Sequence, residues 1–184
     1  SDEPDRVTNS CLVYSPQGRM VCRYDKIHLF VLDNESGRFD ESRTVAPGHA
    51  PAWFDLPGSD GHVWRVGLSV CYDLRFPELY RALADEGADL LLVPSAFTYG
   101  TGEKHWDVLL RARAIENLVW VGAPAQGGLH ENGRRTWGHS LVVDPWGEVV
   151  ARLPSGEGVV VVQMDAGQIR RRRAELPALG HRVL

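Results

Sequence analysis

The feature that most constrains the fold is an apolar, strand-like run that stops at a cysteine and is followed closely by a helical pattern. Residues 66–70 are mostly apolar, Cys71 ends the run, and an amphipathic pattern opens behind Pro77. A thiol on such a bend lies outside the sheet, beside backbone N–H groups that can stabilise a thiolate or an oxyanion. Cysteine attacks carbonyl carbons at neutral pH, but a lone cysteine at a strand end is more often a buried core residue. The rest of the chain has to decide between these interpretations.

The order of the predicted elements is typical of a layered α/β fold. Strands are predicted over residues 10–14, 20–24, 63–70, 89–93, 118–123, 139–143, 148–152 and 159–164, and helices over 78–86, 104–117 and after Asp165. The unbroken apolar run at 89–93 suits a strand that is covered on both faces. No repeat, linker or low-complexity tract divides the chain, so residues 1–184 are predicted to form one domain.

Composition and charge argue against several classes of protein. A net charge of −4 predicts no general affinity for nucleic acid or for anionic membranes. No apolar run approaches the roughly 20 residues of a membrane-spanning helix. Three cysteines (Cys11, Cys22 and Cys71) without CxxC spacing and seven scattered histidines favour neither a disulfide framework nor a metal site. We therefore expect a cytoplasmic protein that uses no metal and no cofactor.

Several short segments before, around and beyond Cys71 follow one another in a characteristic order. They are YDKIHLF at 24–30, FDES at 39–42 with Pro47-Gly48, GLSVCYDLRFPEL at 67–79, PSAF at 94–97, TG at 101–102 with HW at 105–106, RARAIEN at 111–117 and GHS at 138–140. Together they resemble the carbon–nitrogen hydrolases, the nitrilase superfamily, over nearly the whole chain. The resemblance implies an α/β fold of four layers, an α-β-β-α sandwich in which two sheets pack face to face.

The resemblance also implies a set of site residues. Cys71 would be the nucleophile, and Lys26 would stand beside it, lower the thiol pKa and stabilise the oxyanion together with the backbone N–H of Tyr72. Glu41 would hydrogen-bond the lysine and help to orient the attacking water. Without the resemblance, the lysine is more simply a solvated charge and the glutamate a free surface carboxylate. The residues after the strand at 89–93 are predicted to shape the substrate pocket: Ser95, Ala96, Phe97 and Thr98.

Two charged clusters are interpreted as structural. Arg75 lies between Asp73 and Glu78, and an arginine among carboxylates is usually a structural ion pair. Arg113 and Glu116 are three residues apart on a predicted helix, a spacing at which opposite charges pair.

One member of the family's catalytic set is not found. The resemblance implies a Glu-Lys-Cys triad, and no Leu-Pro-Glu-like segment precedes Lys26. The chain also starts at Ser1, in what looks like the middle of a loop. We therefore expect the chain to be the C-terminal two-thirds of one domain, with the N-terminal part absent and the catalytic glutamate upstream of Ser1. Family members pair through helices, so a homodimer or a higher homo-oligomer is expected.

Within the superfamily, the segments most resemble the Nit-type ω-amidase branch, which includes the deaminated glutathione amidases. That resemblance implies metal-independent cleavage of the terminal carboxamide of a small ω-amido (keto) acid, with release of ammonia through a cysteine thioester. An N-carbamoyl or other small-amide hydrolase is the nearest alternative, and a non-catalytic remnant without a general base is another. True nitrilases usually have Cys-Trp-Glu at the nucleophile, where this chain has Cys71-Tyr72-Asp73.

Overall fold

The computed structural model describes residues 5–34 and 37–183 of the chain. The α-helices are α1 (Pro77–Asp85), α2 (Tyr99–Asn117) and α3 (Ala166–Glu175), and short 3₁₀ helices cover Glu41–Arg43, Cys71–Arg75 and Ala178–His181. The strands are β1 (Val7–Thr8), β2 (Ser10–Tyr14), β3 (Met20–Asp25), β4 (Val31–Asn34), β5 (Gly37–Asp40), β6 (Val45–Ala46), β7 (Ala52–Pro57), β8 (Val63–Leu68), β9 (Leu90–Leu92), β10 (Trp120–Ala123), β11 (Gly127–Leu129), β12 (Arg135–Trp137), β13 (Ser140–Val143) and β14 (Val149–Leu153).

A six-stranded sheet in the order β14-β13-β10-β9-β8-β7 forms the centre of the fold. Its three middle strands are parallel, with Leu90 of β9 opposite Val66 of β8 and Trp120 of β10. The outer strands β7, β13 and β14 are antiparallel to their neighbours. Parallel strands need crossover connections, and α1 and α2 provide them between β8, β9 and β10. The predicted α/β class is therefore confirmed.

Helices α1 and α2 cover one face of this sheet. The fit between α1 and β8 is close, since a Cβ placed on Gly67 would lie 3.0 Å from Leu83 Cδ1. The buried apolar side chains of the two helices are Leu79, Tyr80 and Leu83 in α1 and Trp106, Leu110 and Ala114 in α2. Each large apolar side chain that is buried in this way contributes about 1.5–3 kcal/mol. The predicted pair Arg113–Glu116 is confirmed on α2, with 2.9 Å between the charged atoms.

The opposite face of the sheet contacts α3 and the segment before it. Trp64, Val66 and Trp120 form a second cluster with Ile169 of α3, and Met164 packs against it. Asp165 caps α3 as expected, since its carboxylate accepts a hydrogen bond from Gly167 N. The strand predicted over 159–164 is wrong, because this segment has no ladder partner among the described residues and packs on the sheet face instead.

The remaining strands form two-stranded pairs: β1 with β6, β2 with β3, β4 with β5, and β11 with β12. The hairpin β2–β3 reverses at the Ser15-Pro16-Gln17-Gly18 turn, and its Cys11, Val13 and Cys22 pack against the main core. Within residues 5–34 and 37–183, no second sheet has more than two strands, so the four-layer sandwich stays a prediction. None of the helices in the described part of the chain is long and apolar enough to cross a membrane.

Candidate active site

Cys71 lies at a sharp turn where two parallel strands end at the same edge of the sheet. Beyond β8 and β9 the pairing continues through Ser69 N to Leu92 O (3.1 Å) and Cys71 N to Pro94 O (3.0 Å). Cys71 then adopts a φ of 52° and opens the 3₁₀ helix Cys71–Arg75. A non-glycine residue in the left-handed region is strained, and such strain persists where the surroundings fix it. The turn therefore holds the half-buried thiol at the carboxyl ends of the strands, where ligands bind in α/β sheets.

Lys26 and Glu41 form a buried ion pair in the same cavity as Cys71. Lys26 follows β3, and its Nζ lies 2.5 Å from Glu41 Oε2, with side-chain exposures of 3% and 12%. Glu41 also accepts hydrogen bonds from Phe30 N (2.7 Å) and Asn9 Nδ2 (3.1 Å). Burial alone would raise the pKa of Glu41, but these hydrogen bonds hold that pKa below its ordinary value. A buried carboxylate that stays ionised pairs with the lysine and fixes the direction of its side chain.

Local structure explains how Glu41 reaches Lys26. The β4–β5 hairpin returns the chain so that Glu41 N donates to Phe30 O (2.9 Å), and Glu41 opens a 3₁₀ turn capped by Asp40. On the other side, Gly48 N donates to Lys26 O (2.8 Å). A Cβ on Gly48 would lie 2.0 Å from Asp25 O, so only glycine permits this approach.

A cavity of about 170 Å³ is shared by the predicted site residues and others. It is lined by Asn9, Lys26, Phe30, Phe39, Glu41, Cys71, Tyr72, Arg75, Ala96, Phe97, Thr98, Thr101 and Arg134. The structure thus brings together Cys71, Lys26, Glu41, Tyr72 and three of the four predicted pocket residues. Ser95 lies apart, because its hydroxyl donates to Val93 O (3.0 Å) and it lines a neighbouring cavity.

The electrostatics of the thiol differ from the expectation drawn from Lys26. Burial raises the pKa of Cys71 above its ordinary value, and this effect exceeds the opposing ones. A hydrogen bond from the Ala96 backbone and the charge of Lys26 lower the pKa, while the charges of Glu41 and Asp73 raise it. Lys26 therefore acts on the Cys71 pKa in the predicted direction, but burial of the thiol outweighs it.

Asp73 links the lysine strand to the nucleophile turn, a role that the sequence does not reveal. Its side chain is fully buried and accepts from Tyr24 Oη (2.7 Å), Val70 N (2.9 Å), His28 N (3.0 Å) and His28 Nδ1 (2.8 Å). Tyr24 and His28 flank Lys26 on either side, and Val70 precedes Cys71. One carboxylate therefore fixes the relative position of the lysine and the thiol.

The structural ion pair predicted for Arg75 is wrong. None of the described carboxylates pairs with Arg75, and Asp73 is occupied by its own four donors. Its guanidinium lies 5.8 Å from the ring of Tyr72 and 5.3 Å from that of Phe97, and Nη1 is 3.2 Å from His105 Nδ1. Arg75 therefore presents an uncompensated positive charge to the cavity.

Two lining residues lie outside every segment singled out from the sequence: Asn9 and Arg134. Asn9 is a polar residue beside a short strand, and Arg134 lies in the turn between β11 and β12. No local pattern distinguishes them, because only the tertiary fold brings them to Cys71. Among the described residues, no group of three or more His, Cys, Asp or Glu side chains is placed to hold a metal ion.

Comparisons with known proteins identify relatives of this chain. The family model described as carbon-nitrogen hydrolase matches residues 1–174. The chain is 44% identical over 182 residues to the deaminated glutathione amidase of Yersinia enterocolitica, covering 98% of this chain and 62% of that protein. It is 38% identical over 177 residues to the human omega-amidase NIT2, covering 96% and 62%. The crystal structure of the C. elegans NitFhit protein superposes with a TM-score of 0.84 at 40% identity, covering 98% of this chain and 44% of that one. The chain thus spans about 62% of the length of these two curated relatives.

Proposed function

The chain belongs to the carbon–nitrogen hydrolase family, and from this premise we propose that it acts as a thiol amidase. The enzyme cleaves the terminal carboxamide of a small ω-amido (keto) acid and releases ammonia. The observation that carries the proposal is the buried Lys26–Glu41 pair in one cavity with Cys71. Relatives named as amidases support the reaction class. The uncompensated charge of Arg75 supports a substrate that carries a carboxylate.

In this mechanism, Cys71 Sγ attacks the amide carbon and forms a tetrahedral intermediate. The ammonium group of Lys26 and the backbone N–H of Tyr72 stabilise its oxyanion. This stabilisation is the largest contribution to the rate that we expect from these groups. The C–N bond then breaks, ammonia leaves with the thiol proton, and a thioester remains on Cys71. Water hydrolyses the thioester, giving a hydroxyl to the acyl carbon and a proton to sulfur.

The role of Glu41 in this mechanism is to position Lys26. Its hydrogen bonds to Lys26, Phe30 and Asn9 leave it little freedom to move protons. The resemblance implies a separate glutamate as the general base, and this assignment stays a prediction. So do the four-layer sandwich, the homodimer, the cytoplasmic location and the absence of a cofactor.

Ammonia release from a five-carbon ω-amide of a 2-keto acid tests the proposal. Cys71→Ala should lower kcat/KM by about 10³-fold or more, because no other group replaces the nucleophile. Lys26→Met should lower kcat by about 10²–10³-fold, the cost of one oxyanion donor. Cys22→Ala is the matched control, since Cys22 lies on the β2–β3 hairpin outside the cavity, and it should retain activity.

Two outcomes would count against this proposal. Release of ammonia by Cys71→Ala at the wild-type rate would exclude the thiol mechanism. Hydrolysis of N-carbamoyl compounds in place of ω-amides would favour the alternative within the same family, and no hydrolysis of either would favour a non-catalytic remnant.

A further inference from the structure

His105 contacts the guanidinium group of Arg75 from outside the cavity. It is the histidine of the HW pair at 105–106, it lies on α2, and its Nδ1 is 3.2 Å from Arg75 Nη1. Arg75 lines the cavity of Cys71, whereas His105 does not. A guanidinium group has hydrogen-bond donors only, so Nδ1 is the acceptor and the imidazole ring is neutral. His105 can therefore act on the site only through Arg75.

The hydrogen bond to His105 determines the direction of the Arg75 side chain. The guanidinium carbon also lies 5.8 Å from the ring centroid of Tyr72 and 5.3 Å from that of Phe97. Such cation–π contacts attract the charge towards the rings, but a hydrogen bond has a stricter requirement for direction. Within the described part of the chain, the side chain of Arg75 forms no other hydrogen bond. Loss of this bond would leave the guanidinium group near the rings but free to turn.

The core fixes the position of His105. The next residue, Trp106, is fully buried, and its Nε1 donates to His139 O (2.8 Å). The ring of Trp106 also lies 5.1 Å from the ring of Phe97, which is one of the two rings beside Arg75. Because this turn of α2 cannot shift without a change in the core, the histidine offers its ring nitrogen at a fixed place.

A neutral partner leaves the charge of Arg75 available to a ligand. A carboxylate at the same place would also accept the hydrogen bond, but it would compensate the positive charge and compete with an anionic group of the substrate. None of the carboxylates among residues 5–34 and 37–183 forms an ion pair with Arg75. The imidazole of His105 thus provides a directed acceptor that carries no negative charge.

We propose that His105 is a positioning residue for Arg75. Its neutral imidazole holds the guanidinium group at the cavity and leaves the positive charge free to bind an anionic group of the substrate. The inference rests on the proposed function, in which Arg75 meets the carboxylate of the ω-amido acid. His105 should therefore affect the binding of a charged substrate and leave the reaction at Cys71 unchanged.

The experiment measures ammonia release from two primary amides with the same chain. One is the five-carbon ω-amide of a 2-keto acid, and in the other a hydroxymethyl group replaces the carboxylate. For the wild-type protein we expect kcat/KM to be about 10- to 100-fold higher for the anionic amide, the effect of one charge-assisted hydrogen bond. The neutral amide reports on the reaction without the contact to Arg75.

Three substitutions of His105 distinguish its position from its charge. His105→Leu removes the acceptor and should raise KM for the anionic amide by about 2- to 10-fold, with kcat and both constants for the neutral amide unchanged. His105→Asn places a neutral oxygen where Nδ1 lies and should restore KM. His105→Asp places a carboxylate there and should raise KM for the anionic amide at least as much as His105→Leu does.

His181→Leu is the matched control. His181 is also exposed, but it lies in the 3₁₀ helix Ala178–His181 and does not line the cavity. The control should leave kcat and KM unchanged for both amides. An equal rise in KM in His181→Leu and His105→Leu would show that the effect is not specific to the contact with Arg75.

Other results would overturn the assignment. An unchanged KM in His105→Leu, or an equal rise for the two amides, would show that His105 does not act through Arg75. If His105→Asn and His105→Asp have the same KM for the anionic amide, the neutrality of the partner has no effect. A wild-type ratio near one would remove the inference and leave the thiol amidase intact. If the wild-type protein releases ammonia from neither amide, the proposed function fails, and the inference fails with it.

Discussion

At the scale of single residues, the positions of the reacting groups depend on Asp73 as much as on the groups themselves. Its buried carboxylate accepts four hydrogen bonds from residues that flank Lys26 and Cys71. Burial, with the charge of Asp73 beside it, raises the pKa of Tyr24, so the phenol remains a donor to that carboxylate. A small displacement of Asp73 would change the distance between the lysine and the thiol. Misplaced reacting groups lower the rate of the reaction.

We expect Asp73→Asn to lose both stability and turnover. The amide has one acceptor oxygen in place of two, and its NH₂ group would face the donors that Asp73 now satisfies. Loss of a buried charge from such a network costs about 3 kcal/mol of unfolding free energy. Urea unfolding and kcat would measure the two effects.

The matched control is Asp55→Asn, because Asp55 pairs with Arg65 at the surface with half of its side chain exposed. The loss of this surface pair should leave both the unfolding free energy and kcat nearly unchanged. An Asp73→Asn protein with wild-type kcat would show that the network does not position the site.

The pair Lys26–Glu41 predicts a specific dependence of stability on pH. The folded-state pKa of Glu41 is below its ordinary value of 4.5, so the carboxylate stays ionised in the folded protein when it would be protonated in the unfolded chain. The stabilisation is therefore fully present above pH 4.5 and is lost as the pH falls through the lower folded-state value. Glu41→Gln should have a smaller loss of unfolding free energy over this acidic range than the wild type, measured by urea unfolding at each pH. Parallel pH profiles would contradict the assignment.

The residues that could be predicted from the sequence are those with a local motif. Cys71, Lys26 and Glu41 each lie in a recognisable segment, and all three line one cavity. The direction of the Cys71 pKa could not be predicted, because burial of the thiol depends on the packed structure. The unpaired state of Arg75 could not be predicted either, because donors that are distant in sequence occupy Asp73.

At the scale of elements, most strands with apolar runs were predicted, with the segment 159–164 as the exception, and β4–β7, β11 and β12 were missed. Strand β9 and helix α1 agree with prediction to within one residue at each end. Helix α2 begins five residues earlier than predicted, at Tyr99. Its first turn was missed because Gly100 and Gly102 have a low helix propensity. The β11–β12 hairpin contains three glycines and charged residues, so its strand character comes from packing on α2 and not from propensity.

Contact between α2 and β12 depends on the absence of a side chain at Gly102. A Cβ there would lie 2.3 Å from Trp137 Cβ, whereas a Cβ on Gly100 would meet nothing within 4 Å. Gly102→Ala should therefore displace the hairpin and lower the unfolding free energy by about 1–3 kcal/mol. Gly100→Ala in the same helix should raise it by about 0.5–1 kcal/mol. Urea unfolding of the two variants measures the difference. Equal unfolding free energies would show that the hairpin can move away from the helix without loss of stability.

At the scale of the whole molecule, one sheet organises the site. The parallel strands β8 and β9 end at the same edge, which places the Cys71 turn beside the segment that carries Ala96, Phe97 and Thr98. The hairpins β2–β3 and β4–β5 then bring Lys26 and Glu41 to that edge. The α/β class followed from the order of elements, but the packing of the small hairpins around the sheet edge did not, because those contacts are long-range.

The central claim is that Cys71 forms a covalent acyl intermediate with an amide substrate. Intact mass measurement after rapid acid quench during turnover of a five-carbon ω-amide tests it directly. We expect a mass increase equal to the acyl group, located on Cys71 by peptide mapping, absent in Cys71→Ala and unchanged in Cys22→Ala. Steady release of ammonia with no acyl group on Cys71, or with the group on another residue, would contradict it.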